Sequence, residues 1–214
     1  TLSSNRIMSL LPGSNGELWI GTQEGGLNIR DKNGKFTTYD ETSPIKFPGK
    51  TIWCMQADAQ GNKWLGTREK GLIKFDRDSG VLEMYGNTSS GKNLPSNNIR
   101  AMAFENDKTL WIATQDDGIA RLDLESKKVT TYSADSIQKN GLSSNHIKSL
   151  YYDPKGVLWI GTYGAGICAL ELSSGQFYHY NEEDGLANNV IYGILPDSEN
   201  NLWLSSNKGI TKFS

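Results

Sequence analysis

The sequence predicts an all-β propeller built from four-stranded antiparallel blades, and three observations carry that expectation. First, the word Leu-Trp-Ile-Gly-Thr and close variants of it recur five times. They centre on Trp19, Trp64, Trp111, Trp159 and Trp203, which stand 45, 47, 48 and 44 residues apart. A repeat of that length marks a small supersecondary unit that buries its faces only by packing on its neighbours. Second, each copy holds short β-forming stretches separated by Gly, Asn and Asp clusters, with no helical periodicity between them. Third, the strands come in sets: four complete sets of four and a fifth of three. The copies span about 1–48, 49–95, 96–142, 143–187 and 188–214. A solenoid of sheets is the alternative; the hairpin turns and the radial habit of strand repeats of this period favour the propeller.

Taken in order, the first strand of each copy carries Ile7, Ile52, Ile99, Ile147 and Ile191, each twelve residues before its tryptophan. A tight turn follows, holding Asp58, Glu105, Asp153 and Asp197 in four of the copies. Their repetition in one turn reads as turn capping, not as a carboxylate array for chemistry. The tryptophan word is the second strand, and its indole is expected between neighbouring blades, where burying such a ring stabilises strongly. The third strand begins after Gly26, Gly71, Gly118, Gly166 or Gly209, present in every copy and suited to positive φ or a bulge. The fourth strand ends in Tyr39, Tyr85, Tyr132 or Tyr180 and alternates as an outer, half-wet strand. Polar linkers, including 40–50, 86–98 and 133–145, return to the next copy. The last copy stops after its third strand and the first begins inside the repeat pattern, so the expectation for 1–214 is one excerpt of a larger propeller.

Composition narrows the function. The formal net charge is −2 with both signs interspersed, so no basic stripe exists for a nucleic-acid backbone. No apolar run approaches the length of a membrane-spanning helix. Cys54 and Cys168 fall at non-equivalent positions of different copies, which reads as two free, buried thiols. The only two histidines are His146 and His179. The sequence holds no HExxH, no Cys/His cluster at ligand spacing, no nucleophile elbow and no phosphate-binding glycine loop. No catalytic residue, metal ligand or cofactor is therefore nominated.

Binding suits the pattern better. Recognition residues should vary where scaffold residues repeat. After the first-strand Ile stand Met8, Trp53, Arg100, Lys148 and Tyr192; before it stand Arg6, Thr51, Asn98, His146 and Val190. The loop beyond the second strand offers Gln23 and Glu24, Arg68 and Glu69, Gln115 and Asp116, Tyr163, and Asn207 with Lys208. From these positions the candidate ligand-binding residues are Arg6, Trp53, Arg68, Asn98, Arg100, His146, Lys148, Tyr163 and Tyr192. Aromatic faces stack on pyranose rings, amides satisfy hydroxyls, and cations favour uronate or sulfate, so an oligosaccharide fits this mixture. The competing reading for each residue is a solvated rim or inter-blade packing, and for the chain it is a scaffold or protein-interaction propeller, with a propeller lyase or hydrolase behind that.

The unit GLSSNHIKSLYYDPKGVLWIGTYGAGICALELSSGQFYHY at 141–180 resembles the two-component regulator propeller repeat, through Ile147, Leu150, Trp159, Gly161, Thr162, Gly166 and Tyr180. The resemblance extends over all five copies. It implies the periplasmic sensor region of a hybrid two-component histidine kinase of the Bacteroides type, with seven-bladed propellers and homodimeric receptors. It further implies non-catalytic detection of polysaccharide-derived oligosaccharides to regulate glycan-utilisation genes, with neither nucleic-acid binding nor membrane insertion by these repeats. The matching residues are scaffold, and none is thereby a binding residue.

Overall fold

A computed structural model of the chain describes residues 1–87, 94–134 and 141–214. The middles of two expected linkers, 88–93 and 135–140, lie outside the described residues. The chain divides into two compact units, Thr1–Arg100 and Ala101–Ser214.

The first unit holds two sheets. One comprises β1 (Ile7–Pro12), β2 (Leu18–Thr22), β3 (Leu27–Arg30) and β4 (Phe36–Tyr39). The other comprises β5 (Ile52–Ala57), β6 (Lys63–Thr67), β7 (Leu72–Asp76) and β8 (Gly80–Tyr85). The strand β9 (Ile99–Asn106) starts at the end of this unit and runs into the second. There it forms a sheet with β10 (Thr109–Thr114), β11 (Ile119–Asp123) and β12 (Val129–Tyr132). A further sheet is made of β13 (Ile147–Asp153), β14 (Val157–Thr162), β15 (Ile167–Glu171) and β16 (Gln176–Tyr180). The last has three strands, β17 (Ile191–Pro196), β18 (Leu202–Ser206) and β19 (Gly209–Phe213). Each sheet pairs its strands in sequence order, so every blade is a meander closed by local hairpins.

The recurring word is explained by what its residues touch. Its threonine is buried, and the hydroxyls of Thr22, Thr67, Thr114 and Thr162 donate to the carbonyls of Gly26, Gly71, Gly118 and Gly166 at 2.8–2.9 Å. That bond pins the turn into the third strand. The glycines there have φ between 69° and 76°, and Gly209 has 103°, as the repeat predicts. At Gly71 and Gly166 a Cβ would lie 2.0 Å from the carbonyl oxygen of Tyr85 or Tyr180, so both conformation and space demand glycine.

The tryptophan packs across the blade boundary within each unit. Trp19 meets Phe75 edge-on with centroids 6.3 Å apart, and Trp159 meets Phe213 at 5.5 Å. Phe47, Leu94, Leu142 and Leu186, each five residues before a first-strand Ile, are buried as the linkers turn back. They are apolar anchors in otherwise polar connections.

The turn acids have a second use beyond capping. Asp58 accepts the backbone N–H groups of Gln60 and Asn62 and also the indole N–H of Trp64 at 3.0 Å. Asp197 does the same with Glu199, Asn201 and Trp203. Asp153 caps Lys155 alone. Glu105 corrects the turn-cap expectation: it accepts from Trp111 at 2.9 Å and from Arg121 at 3.2 Å. Asn106, the last residue of β9, caps that turn instead, and the longer Glu105 side chain reaches over the sheet to Trp111 and Arg121. A cation from the third strand completes the set, with Lys74 over Trp64, Arg121 over Trp111 and Lys212 over Trp203. Blades one and four depart from this scheme. Gly13 and Asp153 hold the acid position there, Ile29 and Ala169 face the tryptophans, and the Trp19 and Trp159 indoles have no acceptor among the described residues.

Candidate binding site

The non-repeating residues are placed by a feature of the first strands. In four sheets the register against the second strand slips immediately after the conserved Ile. Ile52 faces Thr67 while Cys54 faces Gly66; Ile147 faces Thr162 while Ser149 faces Gly161; the slips at Ile7/Ser9 and Ile191/Gly193 are alike. The residue left outside the ladder is Met8, Trp53, Lys148 or Tyr192. A bulge frees a side chain from the alternation of the strand and re-aims it. The position that the backbone releases in these four sheets thus carries a different residue in each.

In the first unit, Trp53 is half-buried and donates its indole N–H to Asn98 Oδ1 at 3.1 Å. The Arg100 guanidinium lies 4.0 Å from the ring centroid, a stacked cation–π contact. Three candidates, Trp53, Asn98 and Arg100, therefore form one cluster. Arg68 is exposed and pairs with Glu24 at 3.7 Å. Arg6 is exposed and lends its carbonyl to Gln23 N–H, and among the described residues no hydrogen bond or ion pair joins it to the other candidates.

In the second unit, His146 Nδ1 lies 2.7 Å from Asp116 Oδ1, both side chains being exposed. The His146 carbonyl accepts the Tyr163 N–H at 2.8 Å, and Lys148 Nζ stands 4.7 Å from the Tyr163 ring centroid. His146, Lys148 and Tyr163 are thereby joined. Tyr192 is 47% exposed and donates its hydroxyl to Asn207 at 3.0 Å.

The residues that sequence reasoning left out of its candidate set are the acceptors. Glu24 and Asp116 each stand five residues after a repeat tryptophan, as does Glu69. Glu24 takes the Thr51 hydroxyl at 3.3 Å, and Thr51 occupies the repeat position of His146. An acid on one blade thus clasps a donor on the next in both units. The spacing was legible; the pairing was not, because it joins different copies.

A cleft of about 480 Å³ in the first unit does not lie at Trp53. It is bordered by Ser3, Glu24, Asp40, Phe47, Gly49 and Lys50, and shares only Glu24 with the clasp. A cleft of about 460 Å³ in the second unit has Ser143 and Gly164 at the positions of Ser3 and Glu24. The thiols of Cys54 and Cys168 are each pushed up to about 12 by burial, so neither is poised as a nucleophile. Among the described residues no three His, Cys, Asp or Glu side chains gather as a metal site, and no helix is long and apolar enough to cross a membrane.

Five blades, four of four strands and one of three, with re-aimed first-strand residues, define a β-propeller of the repeat type. The two component regulator propeller model matches the chain in four segments, residues 1–24, 93–116, 141–164 and 185–208. The second copy, in which Lys63 replaces the leucine before Trp64, lies outside the matched segments. No curated protein matches the chain. Among solved structures, it is similar to the extracellular domain assigned to a hybrid two component system, BT3049, of B. thetaiotaomicron. The identity is 21% over 100% of this chain and 34% of that one, with a TM-score of 0.63. The extracellular domain of BT4673 from the same organism gives 23% identity over 96% of this chain and 36% of that one, with a TM-score of 0.57. PorZ, a surface component of the type-IX secretion system of Porphyromonas gingivalis, gives 18%, 97%, 32% and 0.72 in the same order. At these identities the likeness is one of fold. The chain spans about a third of the length of each of these structures.

Proposed function

We propose that the chain is a ligand-sensing, non-catalytic propeller region of an extracytoplasmic receptor of the two-component type, and that its ligand is an oligosaccharide. The observation that carries this reading is the set of bulges that release Trp53, Lys148 and Tyr192 from their ladders. A scaffold that needed only rigidity would gain nothing from breaking its pairing at its least repetitive residues. Trp53 with Arg100 and Asn98, and Tyr163 with Lys148, combine an aromatic ring with cationic or amide donors, as recognition of a hydroxylated ring requires. The family match and the extracellular relatives of like fold support placement outside the cytoplasm, in the periplasm. In the whole receptor, a homodimer carrying a histidine kinase, ligand binding would shift the balance between two signalling arrangements and so regulate glycan-utilisation genes. Calorimetric titration of the folded chain with a panel of neutral and acidic oligosaccharides tests the binding step. Saturable heat with at least one glycan is expected, and silence across the panel would sink the saccharide reading.

A further inference from the structure

The clasp at Glu24 is built unlike its counterparts. Glu24 has φ of 62°, in the left-handed region that side chains with a Cβ disfavour. The equivalent residue of the fourth copy is Gly164, with φ of 109°, so the backbone here takes a form that another copy assigns to glycine. Strain of this kind persists where the surroundings hold it, and it concentrates at functional positions. What it achieves is visible in the contacts. The Glu24 N–H donates to Thr51 Oγ1, and the Glu24 carboxylate accepts from that same hydroxyl and faces Arg68 Nη1 at 3.7 Å. Thr51 is fully buried and fixed, whereas the two charged side chains are each about half exposed, at 50% for Arg68 and 58% for Glu24. Their attraction is correspondingly loose and open to competition. Glu24 also borders the cleft of about 480 Å³, which gives its side chain room to leave, with Lys50 on the wall.

We propose that Glu24 is a resident stand-in for an acidic group of the ligand. It occupies Arg68 and Thr51 in the free protein and yields them to a carboxylate or sulfate carried by the incoming saccharide. Only one residue, Ile52, separates Thr51 from Trp53, so the hydroxyl that Glu24 holds and the Trp53 ring are close along the chain. This inference rests on the oligosaccharide reading and deepens it by naming an acidic saccharide. It makes Glu24 a specificity-determining residue, setting how acidic a ligand must be to bind.

The test compares the native chain with Glu24→Gly and Glu24→Gln, titrated with trigalacturonate, a sulfated disaccharide and cellotriose. Removing the competing charge is expected to raise the affinity for an acidic probe by about threefold to fivefold relative to cellotriose, the range of an exposed ion pair. The gain should disappear in the Glu24→Gly/Arg68→Gln double variant and shrink with added salt. Galacturonate and sulfate responses separate the two anion sources. Because Gly164 fills this position in another copy, Glu24→Gly is expected to fold, and thermal unfolding checks that it does. If cellotriose binds the native chain and neither Glu24 variant favours an acidic probe, the inference falls while the sensor reading stands. If no saccharide binds the native chain or the variants, both fall.

Discussion

Trp53 differs from the five repeat tryptophans in what its indole is used for. Trp64, Trp111 and Trp203 give their N–H to the acids six residues before them and lie under third-strand cations, which fastens a blade. Trp53 gives its N–H to Asn98 and carries Arg100 on its face, which orders a three-residue cluster. Trp53→Ala is expected to weaken saccharide binding at least about tenfold, about 1.4 kcal/mol, by removing both the ring and the platform that holds Arg100 flat. Titration of the folded variant checks it, and undiminished affinity would remove Trp53 from the site. The turn acids make a separate prediction at this scale. Hydrogen bonds from the Asn201 side chain and backbone, with Trp203 N–H, hold Asp197 down to about 2. The unfolded carboxyl titrates near its ordinary value of about 3.9. Between the two the unfolded chain binds more protons, so this stabilisation is present above about pH 4 and lost as the pH falls towards 2. Urea midpoints between pH 5 and pH 2.5 should fall less steeply for Asp197→Asn than for the native chain; equal slopes would show that the carboxylate is not a source of the acid sensitivity.

At the scale of the element, the repeat word made the strands and their turns legible before any coordinates. Small differences at the ends aside, every expected strand among the described residues is present, and the five glycines before or at the third strand have the positive φ that the repeat implied. The bulges were not legible, because the residue they expel is the one that varies and no local composition marks a slipped register. The double use of Asp58 and Asp197 was hidden for a related reason: a cap is local, whereas the indole acceptor acts six residues away on the next strand. Glu105 departs from the turn-cap expectation because its longer side chain reaches Trp111 and Arg121. The contrast between two glycines tests how firmly each turn is specified. Gly166→Ala would bring a Cβ to 2.0 Å from the Tyr180 carbonyl at φ of 76°, whereas at Gly156, with φ of 89°, nothing lies within 4 Å. Chemical denaturation should show a loss of more than about 2 kcal/mol for Gly166→Ala and about 1 kcal/mol for Gly156→Ala. Equal losses would mean that strain alone, and not the close approach of the fourth strand, specifies the turn.

For the molecule as a whole, the scaffold residues and the proposed recognition residues occupy different positions of the same repeat. That separation explains why the family was readable from sequence while the ligand was not. Ile147, Trp159, Thr162 and Gly166 answer to burial and backbone geometry, which any member of the family must satisfy. Trp53, Arg100, Lys148 and Tyr163 stand at positions where the copies differ, and these are the residues proposed to meet a ligand. Among the nine candidates, contacts gather Trp53, Asn98 and Arg100 in the first unit and His146, Lys148 and Tyr163 in the second. Arg68 and Tyr192 are instead engaged with Glu24 and Asn207. A ligand that binds only the folded chain should stabilise it by about 2.7 kcal/mol at a hundred times its dissociation constant. Thermal unfolding with increasing saccharide reads this out. An unfolding midpoint that stays fixed under a concentration found saturating by calorimetry would place the measured heat outside the folded site.

The uneven surroundings of the indoles have an optical consequence. Three repeat tryptophans sit between a carboxylate and a cation, and Trp53 lies beneath a guanidinium. Trp19 has Lys63 over its ring and Trp159 faces Ala169, these two having no acceptor among the described residues. Charges placed differently around an indole shift its emission differently, so the chain carries several distinguishable fluorophores without any label. A ligand arriving at Trp53 would move one component of that spectrum and leave the fastened blades as an internal standard.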